Sequence, residues 1–310
     1  MSELAPSIPS GFDEFWRNNV SEAEGATLDY SLSNQSVVPT PGVGQTAPGV
    51  ITTRHDIKTF TFRGIGGETL NGWIAIPFEA GAQCPGFLWV APYGRESLLP
   101  NQYGTREGFV SLSFNFFGFD AFHQEKYTPD RGYFTEGVLD KETWVFRRMF
   151  QNAVIASRVL ADLPFVDDTK IGSMGMSQGA GISIWLGAWC SRIKAVCADM
   201  PFLGAMNETL LKNVYRYPLK ELMDFMATVP DGQARVLETI SYFDTLNQAS
   251  RCEKPTLVSV GLKDPAVKPI QARSIYRALP GKKELHEYDW GHDWHPDMIE
   301  NNGRWLLDNL

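Results

Sequence analysis

The 310 residues are 43% hydrophobic and 21% charged, with a formal net charge of −8. This balance suits one buried core and excludes wholesale disorder. The acidic surplus argues against nucleic-acid binding, which needs clustered Lys and Arg along a phosphate backbone. The N-terminal residues lack a basic stretch followed by an apolar one, so no secretory signal is expected. No run is long and apolar enough to cross a bilayer, so no membrane partner is expected. The four cysteines, Cys84, Cys190, Cys197 and Cys252, show no CxxC pairing. Scattered thiols fit a reducing compartment, and a cytoplasmic protein is the expectation.

In chain order, residues 11–20 predict a short helix with Phe12, Phe15 and Trp16 on one side. Residues 31–50 are rich in Ser, Thr, Pro and Gly and read as a loop or surface arm. Residues 57–62 and 70–76 alternate as strands about the Gly66-Gly67 turn, a hairpin signature. Short apolar runs at 87–91 and 109–114 suit buried strands. A long helix is expected over 141–163, a strand over 170–174, a helix over 179–189 and a strand over 195–198. Then come a strand over 255–260, a helix over 269–279, a strand over 284–288 and a helix over 298–307. Alternating strands and helices imply an α/β fold with a mostly parallel sheet covered on both faces. Residues 204–250 break the alternation and look helical, as a cap inserted over one sheet end. The expectation is one domain over 1–310, with 1–55 as an N-terminal extension and 204–250 as the cap.

Residues 170–179 run strand, then Gly175-Met176-Ser177-Gln178-Gly179, then helix. The pentapeptide alone could arise by chance in a chain with 28 glycines. Its strand-turn-helix setting makes Ser177 the candidate nucleophile, with its hydroxyl raised on a sharp turn as in the α/β-hydrolase fold. The amide of Gln178 heads the following helix, where an oxyanion would form.

In that fold the acid and the histidine follow the serine in order. His55 and His123 precede Ser177, and His286 lies inside an expected strand. His292 stands just past that strand's end and is the candidate base; His295 reads as a surface or capping residue. Asp264 follows the preceding strand and is the candidate partner of His292 Nδ1. The alternatives are a turn Asp before Pro265, or Asp199, Asp289 or Asp293 in its place. His292 and His295 with Asp293 could also suggest zinc, but no further ligand stands out, so no metal is expected. The second oxyanion donor should come from the loop after an early strand, Ala91-Pro92-Tyr93-Gly94. Pro92 has no N–H, which leaves the Tyr93 amide, although an ordinary Pro-Tyr-Gly turn reads the same way.

Together these segments resemble the acetyl xylan esterase / cephalosporin C deacetylase family of carbohydrate esterases. The resemblance runs through Gly11 to Trp16, Gly66-Gly67-Glu68, Gly72-Trp73, Gly132 to Gly137 and Trp144 to Arg148. It continues through Ser177-Gln178-Gly179, Pro201-Phe202-Leu203, Ser241 to Asp244, Asn247, Gly261 to Asp264 and Gly291-His292-Asp293. It implies Ser177, Asp264 and His292 as the triad and the amides of Tyr93 and Gln178 as the oxyanion hole. It further implies deacetylation of sugars or small alcohols without a cofactor, in a homo-oligomer. The chain departs from the family in carrying Phe117-Gly118-Phe119 for Arg-Gly-Gln, Ala91-Pro92-Tyr93 for His-Gly-Tyr, and His292-Asp293 for His-Glu.

The expected function is therefore a serine esterase acting on short acyl esters, acetyl above all, of carbohydrates or similar alcohols. Phe117, Phe202 and Trp290 are expected to line the substrate site, against the alternative that each merely packs in the core. A broad carboxylesterase or peptidase on the same fold, and a non-catalytic protein that kept the fold, are the competing readings.

Overall fold

The computed structural model describes residues 4–37, 54–78, 83–125, 130, 132–212 and 214–310. The chain opens with helix α1 (Phe12–Gly25), then strands β1 (Tyr30–Ser36), β2 (His55–Arg63), β3 (Thr69–Pro77), β4 (Cys84–Val90) and β5 (Val110–Phe114). After α2 (Val145–Asp162) and β6 (Val166–Met176) come α3 (Gln178–Trp189) and β7 (Ile193–Asp199). Four helices follow: α4 (Met206–Leu210), α5 (Leu219–Met226), α6 (Gly232–Phe243) and α7 (Thr245–Ala249). The chain ends with β8 (Thr256–Gly261), α8 (Pro269–Ala278), β9 (Lys283–Tyr288) and α9 (Asp297–Asn309).

The strands form one nine-stranded sheet in the order β1-β2-β3-β5-β4-β6-β7-β8-β9. The β1–β2, β2–β3 and β3–β5 pairs are antiparallel, and every pair from β5 to β9 is parallel. The parallel half therefore lines up its C-terminal strand ends along one edge, where loops can converge on a site. Helices cover both faces. Ser173 of β6 donates to Ser183 of α3 at 2.9 Å. Its neighbour Gly172 faces Leu306 of α9, within 2.7 Å of where a Cβ would stand. Adjacent strand residues point to opposite faces, so α3 and α9 flank the sheet from either side.

Three local expectations change. Residues 31–36 belong to β1 rather than to a loop, and the rest of that expected arm, 38–50, lies outside the described residues. Strand β1 is short, mostly polar and bulged between Leu32 and Ser36. These traits suit a sheet edge and erase the apolar alternation by which a strand is read. Helix α2 starts at Val145, not Lys141, because Trp144 is extended and the Val145 amide donates to Glu136 O at 3.0 Å. Helix α1 runs to Gly25, five residues past the expected end.

The core is unusually aromatic. Trp16, Trp73, Trp89, Trp144 and Trp185 are all buried. Trp16 of α1 packs on Phe150, Trp185 and Phe243, and its Nε1 donates to Tyr242 O at 2.8 Å. The N-terminal segment is clasped by residues more than 200 positions further along the chain. The Ser7 amide donates to Asn247 Oδ1 at 2.7 Å, and Asn247 Nδ2 donates back to Ser7 O at 2.9 Å. Tyr242 Oη donates to Ser10 O at 2.5 Å. Buried Asp244 joins the start of α4 to that of α7, accepting from the amides of Ala205 (3.0 Å), Met206 (2.7 Å) and Leu246 (2.9 Å).

Candidate active site

Strand β6 ends at Met176, and Ser177 turns the chain sharply into α3 with φ 56° and ψ −118°. An L-residue rarely adopts this backbone, so the surroundings must hold it. Its amide donates to Asp199 O at 2.9 Å, and its carbonyl accepts from Gly181 (3.1 Å) and Phe202 (3.0 Å). The flanking glycines are steric necessities. A Cβ on Gly175 would lie 2.5 Å from the Gly179 carbonyl carbon, and one on Gly179 would collide with Val90 O. The turn thus packs backbone against backbone beside the end of β4.

Ser177 Oγ lies 3.0 Å from His292 Nε2, and His292 Nδ1 lies 2.6 Å from Asp264 Oδ2. The loops after β8 and β9 hold this chain of contacts. The Leu262 amide donates to Tyr288 O at 2.8 Å and the Lys263 amide to Trp290 O at 2.9 Å, so pairing continues past the sheet edge. Asp264 follows at once. Its Oδ1 accepts from the amides of Ala266 (2.7 Å) and Val267 (2.8 Å). Its side chain is fully buried, while that of His292 is 24% exposed. The histidine thus reaches the surface while the acid is shielded from it.

The alternative residues are occupied elsewhere. Asp289 pairs with Lys263 at 2.7 Å, and Asp293 accepts from the Trp294 amide at 2.7 Å. Asp199 accepts from Asn302 at 2.8 Å, and burial pushes its carboxyl above the usual range. His286 contacts Glu284 at 2.6 Å, and His295 accepts from the Asp297 amide at 3.2 Å, capping α9. His55 contacts Arg106 O at 3.0 Å, and His123 contacts Glu125 at 3.0 Å. Among the described residues no three His, Cys, Asp or Glu side chains gather as a metal site would require. All four cysteines are free and buried.

Gln178 is the first residue of α3, and the amide of a first helical residue has no acceptor within its own helix. Val90 of β4 pairs with Gly175 of β6, so the loop carrying Tyr93 leaves the sheet beside Ser177. The Tyr93 ring packs on Tyr133 at 5.1 Å and on Phe134 at 5.3 Å between centroids. Phe117 lies 4.6 Å from Tyr133 with the Arg95 guanidinium over its outer face at 5.3 Å, and Phe202 lies 6.2 Å from Phe134. Phe117, Tyr133, Tyr93, Phe134 and Phe202 thus form one run of touching rings. Trp290 stands apart, 41% exposed and perpendicular to His295 at 5.1 Å.

Tyr133 went unrecognised as a site residue from sequence. Its hydroxyl donates to Gln178 Oε1 at 2.9 Å and accepts from the Gly94 amide at 3.2 Å. Burial pushes that hydroxyl far above the ordinary tyrosine range, so it stays a donor. It is about forty residues from each partner, and the resemblance through Gly132 to Gly137 includes it without giving it a role.

Among the described residues no helix is long and apolar enough to cross a membrane. The solved acetyl xylan esterase of Paenibacillus sp. R4 superposes with a TM-score of 0.84 at 23% identity, covering 99% of this chain and 97% of its own. Acetyl xylan esterase 1 of Thermoanaerobacterium sp. JW/SL YS485 superposes with a TM-score of 0.75 at 20% identity, covering 99% and 95%. At these identities the likeness establishes the α/β-hydrolase fold. Acetyl esterase Axe7A of Xylanibacter ruminicola is 22% identical over 287 residues, 89% of this chain. The chain spans 61% of the length of that curated relative. The sequence model described as acetyl xylan esterase (AXE1) matches residues 4–307, nearly from end to end. With that match, the chain belongs to the acetyl xylan esterase family.

Proposed function

We propose that the protein is a serine esterase that removes short acyl groups, acetyl first among them, from carbohydrates or related small alcohols. The observation that carries this reading is the unbroken contact chain Ser177 Oγ, His292 and Asp264, at 3.0 and 2.6 Å. Ser177 Oγ attacks the acyl carbon while His292 Nε2 takes its proton. Asp264 accepts from Nδ1–H, fixes the tautomer and stabilises the imidazolium. The amides of Gln178 and Tyr93 receive the negative charge on the carbonyl oxygen; losing one such donor typically costs about 3 kcal/mol of barrier. The tetrahedral adduct collapses as His292 returns the proton to the leaving alkoxide. Water, activated by the same nitrogen, then frees the acid from the acyl-enzyme.

The preference for a small acyl group is supported by the run of rings that ends at Phe202, whose amide donates to the Ser177 carbonyl. The names of the relatives support an acetylated sugar as the alcohol part. Helices α4 to α6 act in this reading as a cap, since Glu221 of α5 accepts from the amides of Gly132 and Thr135 next to Tyr93. The buried free thiols support a reducing, cytoplasmic setting. Assembly into a homo-oligomer is carried by the family resemblance and is tested by sedimentation velocity. The reaction is tested by initial rates on p-nitrophenyl acetate, butyrate and octanoate, with Ser177→Ala as control. Activity highest on acetate and absent in the variant supports the proposal. A preference for octanoate replaces it with a general carboxylesterase, and an active variant removes Ser177 from the mechanism.

A further inference from the structure

The two amides of the proposed oxyanion hole sit on separate loops. One follows β4, and the other opens α3 after β6. Stabilising a transient anion requires that both point at one spot before charge develops. Backbone pairing of β4 with β6 brings the loops near each other but ends at Val90 and Gly175, short of both donors.

We infer that Tyr133 is a positioning residue that locks the two halves of the oxyanion hole into one register through its hydroxyl group. The hydroxyl donates to Gln178 Oε1 at 2.9 Å and accepts from the Gly94 amide, next to Tyr93, at 3.2 Å. One oxygen atom thus bridges the residue heading α3 and the residue following Tyr93. The ring of Tyr133 also packs on that of Tyr93. The Tyr133 segment is itself anchored. Buried Glu221 of α5 accepts from the amides of Gly132 (2.6 Å) and Thr135 (3.0 Å) and from the Thr135 hydroxyl (2.9 Å). A Cβ on Gly132 would collide with the Tyr93 hydroxyl, so this segment and Tyr93 meet at closest approach. Tyr133 touches no reacting atom in this scheme. It acts on the reaction only through where the two amides point.

This inference rests on the serine-esterase reading, and its test separates the two. Tyr133→Phe keeps the ring and removes the bridge. Gln178→Met keeps the length of the side chain and removes the acceptor together with the side-chain amide nitrogen, which has no hydrogen-bond partner, and it decides the matter if Tyr133→Phe fails to fold. Each variant is compared with wild type for kcat and KM on p-nitrophenyl acetate, for inhibition by phenylboronic acid, and for melting temperature. A boronic acid forms a tetrahedral adduct with the serine oxygen and so reports on the oxyanion geometry. The expected result is kcat lower by about 10- to 100-fold, less than the loss of a whole donor. KM should stay within about twofold, and boronate affinity should fall in parallel with kcat. The double variant should be no slower than the slower single variant, because both changes cut the same bridge. Wild-type kcat in folded variants, with Ser177→Ala inactive, overturns the inference and leaves the esterase reading standing. Losses in kcat that track the melting temperature while boronate affinity holds also overturn it, because the role is then merely structural. Full activity in Ser177→Ala overturns the reading beneath it.

Discussion

Asp264 divides its carboxylate between two tasks: Oδ2 meets His292 Nδ1 at 2.6 Å while Oδ1 holds the amides of Ala266 and Val267. The oxygen that orients the histidine is thereby fixed by the oxygen that shapes the loop. Neither can rotate without breaking the other's contacts.

This division predicts the behaviour of Asp264→Asn. The amide oxygen will stay with the two backbone donors, because turning the NH2 toward them sets donor against donor. The NH2 group will then face His292 Nδ1 and impose the tautomer that protonates Nε2. Proton removal from Ser177 should fail, with kcat falling by about 10⁴ while the loop and the melting temperature are kept. Steady-state rates beside a thermal melt check this. A loss below tenfold in a folded variant would remove Asp264 from the proton relay.

Ser177 is held at φ 56° and ψ −118°, a backbone that costs an L-residue roughly 1–3 kcal/mol. Glycine escapes that strain but loses about 0.5–1 kcal/mol to its greater freedom in the unfolded chain. Both Ser177→Gly and Ser177→Ala should be inactive, with the glycine variant more stable by about 1 kcal/mol. Urea denaturation of the two side by side decides it.

Burial pushes the Asp244 carboxyl up to about 6, against the opposing pull of the amides of Met206, Leu246, Ala205 and Asn247. The folded chain therefore holds this proton at pH values where the unfolded chain, with an ordinary carboxyl of about 3.9, has released it. The stabilisation is complete below the unfolded value and is lost as pH rises through about 6. Asp244→Asn does not titrate. The stability gap between wild type and this variant should narrow by about 1 kcal/mol from pH 5 to pH 8. A gap that widens over that range would contradict the assignment.

Phe202 joins Ser177 through the backbone, and its ring borders Phe134. Phe202→Leu keeps the position apolar and opens space beside the nucleophile. The ratio of kcat/KM for butyrate over acetate should rise by about tenfold, the scale at which an apolar pocket tells one or two methylenes apart. An unchanged ratio would place the acyl group elsewhere.

What the sequence discloses about this molecule follows the reach of its signals. The turn at Ser177 is local: a strand, two glycines and a helix start lie within ten residues. Asp264 is legible because it follows the buried apolar strand β8 and His292 because it follows the next strand, β9; strand ends in a parallel sheet share one edge. The structure joins these three side chains by hydrogen bonds. Tyr133 could not be read in the same way, since its partners are brought to it only by the packed fold. Edge strand β1 escaped for another reason. Its sequence Tyr-Ser-Leu-Ser-Asn-Gln-Ser is polar and bulged, so neither alternation nor apolarity marks it. Phe117 and Phe202 lie on the run of rings and Trp290 does not, a distinction that residue type alone cannot make.

The clasp between Ser7 and Asn247 spans 240 positions of chain. Ser7 must wait, without its native partner, until the 240 positions up to Asn247 have been made. Trp16 needs Tyr242 and Phe243 in the same way, so the N-terminal helix cannot nucleate this fold from its own contacts. Contacts this distant in sequence slow folding, because a large loop must close before they contribute anything. During synthesis, the aromatic face of α1 therefore stays without Tyr242 and Phe243 until they have been made.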